Sequence, residues 1–350
     1  MGDEGWKEMP KLMKPDTILA LSTALAALTK DQGQSFTTVL HGGEPLMLGA
    51  RRLEYLLSSL RNHLSSSHPI CMQTNGMLIS SEILRICEEY KTSISISLDG
   101  PKPINDRFRI GHQGESTFDK VVAGIAKLRN HRSSKFLFSG ILSVIDPFSD
   151  PSEVYEYLKS LGAPSLDFLY RDGNHSAYPF GKKSFESTEY GTWLCKLLDV
   201  YLADPMPVRI RLLDDLMRLS LGGEGLKEGV GITDFGIAIV DTDGTISKND
   251  TLKSTFGGAD RFKQKWSVHS HRLSDIFATA EFDDYHRIQR PSSSECKNCP
   301  DLGVCGGGMP LHRWSDEGQF DNPSVYCRDQ QAVIKHVRVH LVRQGLALAA

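Results

Sequence analysis

The sequence predicts an α/β fold in which a mainly parallel sheet is followed by a cysteine-rich extension. Three observations carry this. Short β-branched runs alternate with helical patterns from about residue 36 to 170, the rhythm of βαβ units. The predicted strands end in Gly-Gly-Glu-Pro, Thr-Asn-Gly and Leu-Asp-Gly. Polar, glycine-rich strand ends are how an α/β barrel or an open sheet builds its ligand site. Finally, four of the seven cysteines, Cys296, Cys299, Cys305 and Cys327, crowd near the C-terminus.

Taken in order, Phe36 to Leu40 reads as a strand that runs into Gly42-Gly43-Glu44-Pro45. Arg51 to Leu64 places Leu53, Leu56, Leu57, Leu60 and Leu64 at helical spacing, so one face packs on a sheet. Ile70 to Thr74 is a strand closed by Asn75-Gly76, and Ser81 to Tyr90 a helix capped by Ser80 or Ser81. Thr92 to Leu98 alternates polar and apolar residues up to Asp99-Gly100-Pro101. Thr117 to Arg129 is helical, Phe136 to Ile145 a strand, Pro151 to Leu161 a helix, and Leu166 to Tyr170 a strand. Residues 172–190 read as a loop and Thr188 to Leu202 as a helix. The glycine-rich stretch 205–235 reads as a linker, and Gly236 to Ser247 as a hairpin turning at Asp243-Gly244. The expected division is therefore 1–204, a linker at 205–235, a metal-binding part at 236–335 and a tail at 336–350.

Composition narrows the function classes. An apolar fraction of 40% and a charged fraction of 24% are ordinary for a globular chain. A formal charge of -3 gives no electrostatic reason to expect nucleic acid. No apolar run approaches the roughly 20 residues needed to span a bilayer, so no membrane partner is expected. Seven cysteines, four of them clustered and Cys71, Cys87 and Cys195 scattered, argue for a reducing cytoplasm rather than a disulfide framework.

Each constellation has a plain reading beside the chemical one. Gly42 and Gly43 let a backbone approach a ligand and Glu44 offers an acceptor to an amine, or the segment is a turn with Pro45 starting a helix. Asp99 can accept ribose hydroxyls and Arg109 can grip a carboxylate, or they form a turn and a solvated ion pair. Ser97, Thr74 and Asn75 stand at matching strand ends, where Asn-Gly is also a common turn. The spacing C-x2-C-x5-C with a later fourth cysteine suits an iron–sulfur cluster, with structural zinc as the rival. His269, His271 and His312 are not counted as ligands.

Together these residues resemble a radical S-adenosylmethionine (SAM) enzyme with a SPASM extension. The residues are Gly42-Gly43-Glu44-Pro45, Thr74-Asn75-Gly76, Ser97-Leu98-Asp99-Gly100-Pro101, Asn105-Asp106-Arg107-Phe108-Arg109 and the cysteine block. Within that superfamily, Cys305-Gly306-Gly307-Gly308, His312-Arg313-Trp314 and Phe320 to Cys327 are most similar to FxsB-like, cyclophane-forming peptide maturases. The resemblance spans about residues 3 to 330.

The resemblance implies a partial (β/α)6 barrel lacking its first strand, SAM, and a reaction on a ribosomally made precursor peptide fed by an external electron donor. It implies that a 4Fe-4S cluster cleaves SAM to a radical that leads to a side-chain cross-link. By position, Gly42, Gly43, Glu44 and Pro45 would contact the SAM amino group. Thr74, Asn75, Ser97, Asp99 and Arg109 would surround its carboxylate and ribose. Cys296, Cys299, Cys305 and Cys327 would hold one auxiliary 4Fe-4S cluster.

Two departures stand out. Met309 occupies the position of a further cysteine, and Gly244 to Leu252 contains none of those expected for another cluster. The 350 residues also contain no C-x3-C-x2-C, the motif that binds the SAM-cleaving cluster. The resemblance places that motif just before Met1, because Asp3-Glu4-Gly5-Trp6 and Met9 to Met13 look like the residues that follow it. The expectation is a chain inactive as it stands. A non-catalytic peptide-binding paralogue and an unrelated zinc-stabilised domain are the alternatives. No general base is identified; Asp215, Asp234, Asp241 and Tyr170 are merely polar residues near strand ends or loops.

Overall fold

A computed structural model describes Lys7, residues 9–232 and residues 236–348. Asp3, Glu4, Gly5, Trp6 and Asp234 lie outside the described residues. Helix α1 (Pro15–Gln32) comes first, and the sequence reading did not assign it. Pro15 opens its first turn and Gly33, at φ 63°, ends it.

Six strands then form one parallel sheet: β1 (Thr38–Leu40), β2 (Ile70–Thr74), β3 (Thr92–Ser97), β4 (Phe138–Val144), β5 (Ser165–Leu169) and β6 (Arg209–Ile210). Between them run α2 (Ala50–His63), α3 (Ser81–Glu89), α4 (Lys102–Asn105), α5 (Phe118–Arg129), α6 (Ser134–Leu137), α7 (Pro151–Ser160) and α8 (Glu189–Ala203). The strand order is sequential. A doubly wound sheet reverses its order partway, whereas sequential winding keeps every crossover on one side. The choice between barrel and open sheet is thereby decided for a partial barrel. Among the described residues, β1 and β6 are not paired with each other.

The two faces of the sheet differ as that winding demands. Ile70, Met72, Ile94 and Ile96 point under the helices and are buried. They meet Leu53, Leu57 and Leu60 of α2 and Ile83 and Ile86 of α3 in one continuous core. The alternate residues Cys71, Gln73, Ser93, Ser95 and Ser97 stay partly exposed on the opposite face. The inner wall of the barrel is thus polar.

The described part of the expected 205–235 linker, residues 205–232, is not a linker. It supplies β6 and helix α9 (Arg211–Ser220), whose Leu212, Leu213 and Leu216 are buried. Gly222, Gly223 and Gly225 just beyond α9 masked this amphipathic turn in the sequence.

The hairpin expected at 236–247 is present as β7 (Ile239–Val240) and β8 (Thr245–Ser247), joined in a second sheet by β9 (Trp266–Ser267). Six helices follow: α10 (Leu273–Phe277), α11 (Ala280–Arg287), α12 (Ser294–Lys297), α13 (Leu302–Cys305), α14 (Pro310–Arg313) and α15 (Cys327–Arg343). Helix α15 runs straight through the boundary expected at 335/336. It lies so close to α8 that a Cβ at Gly191 would stand 2.7 Å from Asp329 Cα. Only glycine fits there, and the extension shares its core with the barrel. No described helix is long and apolar enough to cross a membrane.

Candidate functional site

The ends of β1 and β2 meet through Glu44. Its Oε1 accepts from Thr74 Oγ1 at 2.6 Å and from Leu46 N at 3.0 Å, and its Oε2 accepts from Asn75 N at 2.8 Å. The carboxylate is therefore fixed in direction while keeping acceptor capacity. The turn and ligand readings of this segment are compatible, since Glu44 caps the turn Pro45–Leu48 that Pro45 begins. Gly42 sits at φ 64°, and a Cβ added at Gly42 or Gly43 would meet no atom within 4 Å. The two glycines leave an open cradle beside a fixed anion, which fits an amine-bearing ligand.

Thr74 lies deeper than expected. It is 2% exposed, and its hydroxyl also accepts from Gly76 N at 3.1 Å. It positions Glu44 rather than facing a ligand. Asn75 Oδ1 accepts from Met77 N, closing the turn. Ser97 Oγ accepts from Gln73 Nε2 at 2.8 Å on the polar inner wall.

Asp99 and Arg109 come together through the fold of the loop between them. Pro101 and α4 turn the chain back, and buried Asn105 accepts from Asp99 N. Arg109 Nε then lies 2.8 Å from Asp99 Oδ2, while Asp99 Oδ1 accepts from Val144 N at 2.9 Å. Arg109 Nε makes no aligned hydrogen bond there, so the contact is an ion pair. Asp99, 5% exposed, is a brace between β3 and β4 with little surface left for a ribose. Arg109 is the more accessible partner.

The sequence reading missed Arg171. It follows β5 as the other site residues follow their strands, in Arg171-Asp172-Gly173, and the same polar strand-end pattern could have found it. Its guanidinium lies 3.7 Å from the Phe108 ring centre, and Phe108 and Phe148 both meet Phe180 edge-on. Nε and Nη2 of Arg171 are buried without a hydrogen-bond partner.

The cysteines form the second centre. Cys296 and Cys327 are buried; Cys299 and Cys305 are partly so. Ser293 caps α12 through the Cys296 amide, α13 ends at Cys305 with Gly306 left-handed, and α15 begins at Cys327. Burial pushes the Cys305 and Cys327 thiols up to about 12, and each feels the charge of Cys296 and Cys299. Such thiols ionise only against a cationic centre.

The sulfurs stand wider apart than a zinc tetrahedron would hold them. Zinc–sulfur bonds of about 2.3 Å put four sulfurs about 3.8 Å apart. Among the described residues, no three of these sulfurs lie within 4.8 Å of one another. Arg313, fully buried, and Arg328 sit within electrostatic reach and offset thiolate charge.

Where the resemblance would put ligands of another cluster, the chain is held by hydrogen bonds. Asn249 Nδ2 donates to Glu228 Oε1 at 2.7 Å, Asn249 N donates to Tyr285 Oη, and Asn249 Oδ1 accepts from Thr251 N. Met309 packs onto Gly229. His312, buried among Tyr170 and Tyr326, is pushed down to about 3 by desolvation and is neutral. Tyr170, buried there, and Asp215, paired with Arg218, are structural. Asp241 faces Ser247 within the second sheet.

The sequence profile of the radical SAM superfamily matches residues 5–161. Solved structures superpose on this fold over 95% of the chain. The fold is a radical SAM fold. The structure of native anSMEcpe with bound AdoMet and Kp18Cys peptide superposes with a TM-score of 0.80 at 23% identity, over 95% of this chain and 90% of that one. The cysteine-type anaerobic sulfatase-maturating enzyme of Clostridium perfringens is 24% identical over 312 residues, 86% of this chain and 81% of its own. A serine-type counterpart from Bacteroides thetaiotaomicron is 23% identical over 370 residues, 96% and 84%. Radical SAM proteins bind SAM and a 4Fe-4S cluster.

A bulky residue at Gly43 separates ligand binding from folding. Gly43 has an ordinary φ and open space beside it, so Gly43→Val should leave the melting temperature within about 2 °C. It should weaken SAM binding at least tenfold, read by equilibrium dialysis with labelled SAM. Unchanged SAM affinity would show that the cradle lies elsewhere.

Proposed function

We propose that this chain is a SAM- and peptide-binding maturase frame of the radical SAM/SPASM type, carrying one auxiliary 4Fe-4S cluster and working on a ribosomally made precursor peptide in the cytoplasm. The observation that carries it is the convergence of Gly42, Gly43 and Glu44 with Asn75, Ser97 and Arg109 at three adjacent strand ends. In this reading Glu44 receives the SAM ammonium, Arg109 its carboxylate, and Ser97 and Asn75 its polar remainder. Thr74 and Asp99 hold those groups in place. The exposed rim of Phe108, Phe148 and Phe180, with Arg171 stacked beneath it, suits an extended peptide. The peptide-bound relative supports that assignment.

The cofactor itself supplies electron transfer; these residues supply binding and orientation. We infer that these 350 residues, which contain no C-x3-C-x2-C, supply SAM binding and orientation and do not by themselves cleave SAM; an external electron donor acts only on a cluster held by that motif. With dithionite as donor, the reconstituted protein should form no 5′-deoxyadenosine. Multiple turnovers would overturn this part of the reading.

The finer likeness to FxsB-like, cyclophane-forming enzymes rests on the tail residues, and these act as scaffold. Arg313 donates to the backbone carbonyls of Ile288, Gln289 and Arg290, and Trp314 packs between Phe256 and Phe320. They support a shared extension and leave the cross-link itself a proposal. The named relatives reported above are sulfatase-maturating enzymes instead.

A further inference from the structure

On the outer side of the α8/α15 packing, far along α15 from its cysteine, three metal-ligating side chains converge. His336 and His340 stand one turn apart on α15, and Asp199 faces them from α8. His336 Nε2 is 2.7 Å and His340 Nε2 2.9 Å from the same Asp199 Oδ1. The two rings are held edge to face, 4.8 Å between centres. The ligand atoms of all three residues lie within 4.8 Å of one another, the one such set of His, Cys, Asp or Glu side chains among the described residues.

We propose that Asp199, His336 and His340 form a binding site for a borderline divalent first-row ion such as Zn2+, which clamps α15 to α8. Two imidazoles four residues apart on one helix face present both Nε2 atoms to a single point, and a carboxylate from the neighbouring helix completes three donors. This donor set is that of zinc, nickel or copper rather than calcium or magnesium.

The spacing is close to what an ion needs. With bonds of about 2.0–2.1 Å, neighbouring ligands stand about 2.9 Å apart at right angles and about 3.4 Å apart in a tetrahedron. The observed 2.7 and 2.9 Å fit the first and reach the second by side-chain movements of about half an ångström. All three side chains are partly open to solvent, so ion entry and that movement are unobstructed.

Three protein donors leave coordination positions for water or an outside ligand. A groove of about 580 Å³, lined by Leu198, Leu202, Met217, Val337 and Leu341, also includes Asp199 and His340 in its wall. The groove gives such a ligand room beside the ion.

The consequence for the rest of the molecule follows from connectivity. Helix α15 begins at Cys327, nine residues before His336, about 13 Å along the helix axis. An ion that fixes α15 on α8 fixes the element on which that cysteine is mounted. The site is distinct from the cysteine centre and uses none of its residues.

The test is a Zn2+ titration of the cluster-loaded protein against a chromophoric competing chelator, run in parallel on His340→Ala and Asp199→Asn. The wild type should take up one zinc per chain and melt higher in its presence. Each variant, being a surface change, should fold, bind zinc at least tenfold more weakly and lose the rise in melting temperature. Zinc X-ray absorption should show nitrogen and oxygen neighbours only, at about 2.0–2.1 Å. Equal zinc affinity in wild type and both variants would overturn the proposal. So would zinc–sulfur scattering at about 2.3 Å, which would place the ion on the cysteines.

Discussion

Replacing Lys182 by methionine will destabilise the protein by about 3–5 kcal/mol, among the largest effects available from one residue outside the cysteine centre. Lys182 Nζ lies 2.6 Å from Asp329 Oδ2, and both side chains are wholly shielded from solvent. Lys182 also donates to the Ser187 carbonyl, and Asp329 Oδ1 accepts from Gly191 N at 2.7 Å. One ion pair thus ties the loop before α8, the first turn of α8 and the first turn of α15. Burial lifts the Asp329 carboxyl above its usual range even though Lys182 and the Gly191 amide draw it down. Without the ammonium, the aspartate is left charged and unpaired in the core, or protonated at a cost. Chemical denaturation checks this. The double variant Lys182→Met, Asp329→Asn keeps an acceptor for Gly191 N and should recover more than half of the loss. A loss below about 1 kcal/mol, the scale of an exposed pair, would mean that water reaches this site.

The second large effect is at Cys299. Cys299→Ala removes one of four thiolates, and the free energy of metal binding at such a site is also folding free energy. The variant should lose the cluster chromophore and melt on the order of 10 °C lower, with the damage greatest in the extension and at its contact with α8. Hydrogen exchange should show α12, α13 and the start of α15 opening while β2 and β3 stay protected. An unchanged melting curve would mean that the cysteines hold nothing that stabilises the fold.

These two positions also show what the sequence could and could not disclose. The strand–helix alternation was legible because each element carries its own period. Ile70–Thr74 forms as expected to the residue, and of the two serines expected to cap α3 it is Ser80 that does so. The strand ends were legible because glycine and Asn-Gly mark them locally. What pairs across distance was hidden. Nothing near Lys182 announces a partner 147 residues away, and nothing at Asp99 announces the Val144 amide that turns it inward.

The same limit explains the residues whose roles changed. Thr74 and Asp99 occupy the positions expected of ligand contacts, yet their polar atoms are spent on Glu44, Gly76, Val144 and Arg109. Burial decided this, and single-sequence periodicity reports burial of apolar residues better than of polar ones. The supposed linker failed for a related reason. Glycines after Ser220 dominated the composition of that stretch, while the leucines of α9 carried its structure.

The central claim is that Cys296, Cys299, Cys305 and Cys327 hold one iron–sulfur cluster beside a SAM-binding barrel. Anaerobic reconstitution followed by iron, sulfide and zinc analysis tests it most directly, run in the His340→Ala background with a chelator wash so that zinc weakly held at Asp199 and His336 is not counted. The account predicts about four irons and four sulfides per chain and no zinc. One zinc per chain with no sulfide would contradict it.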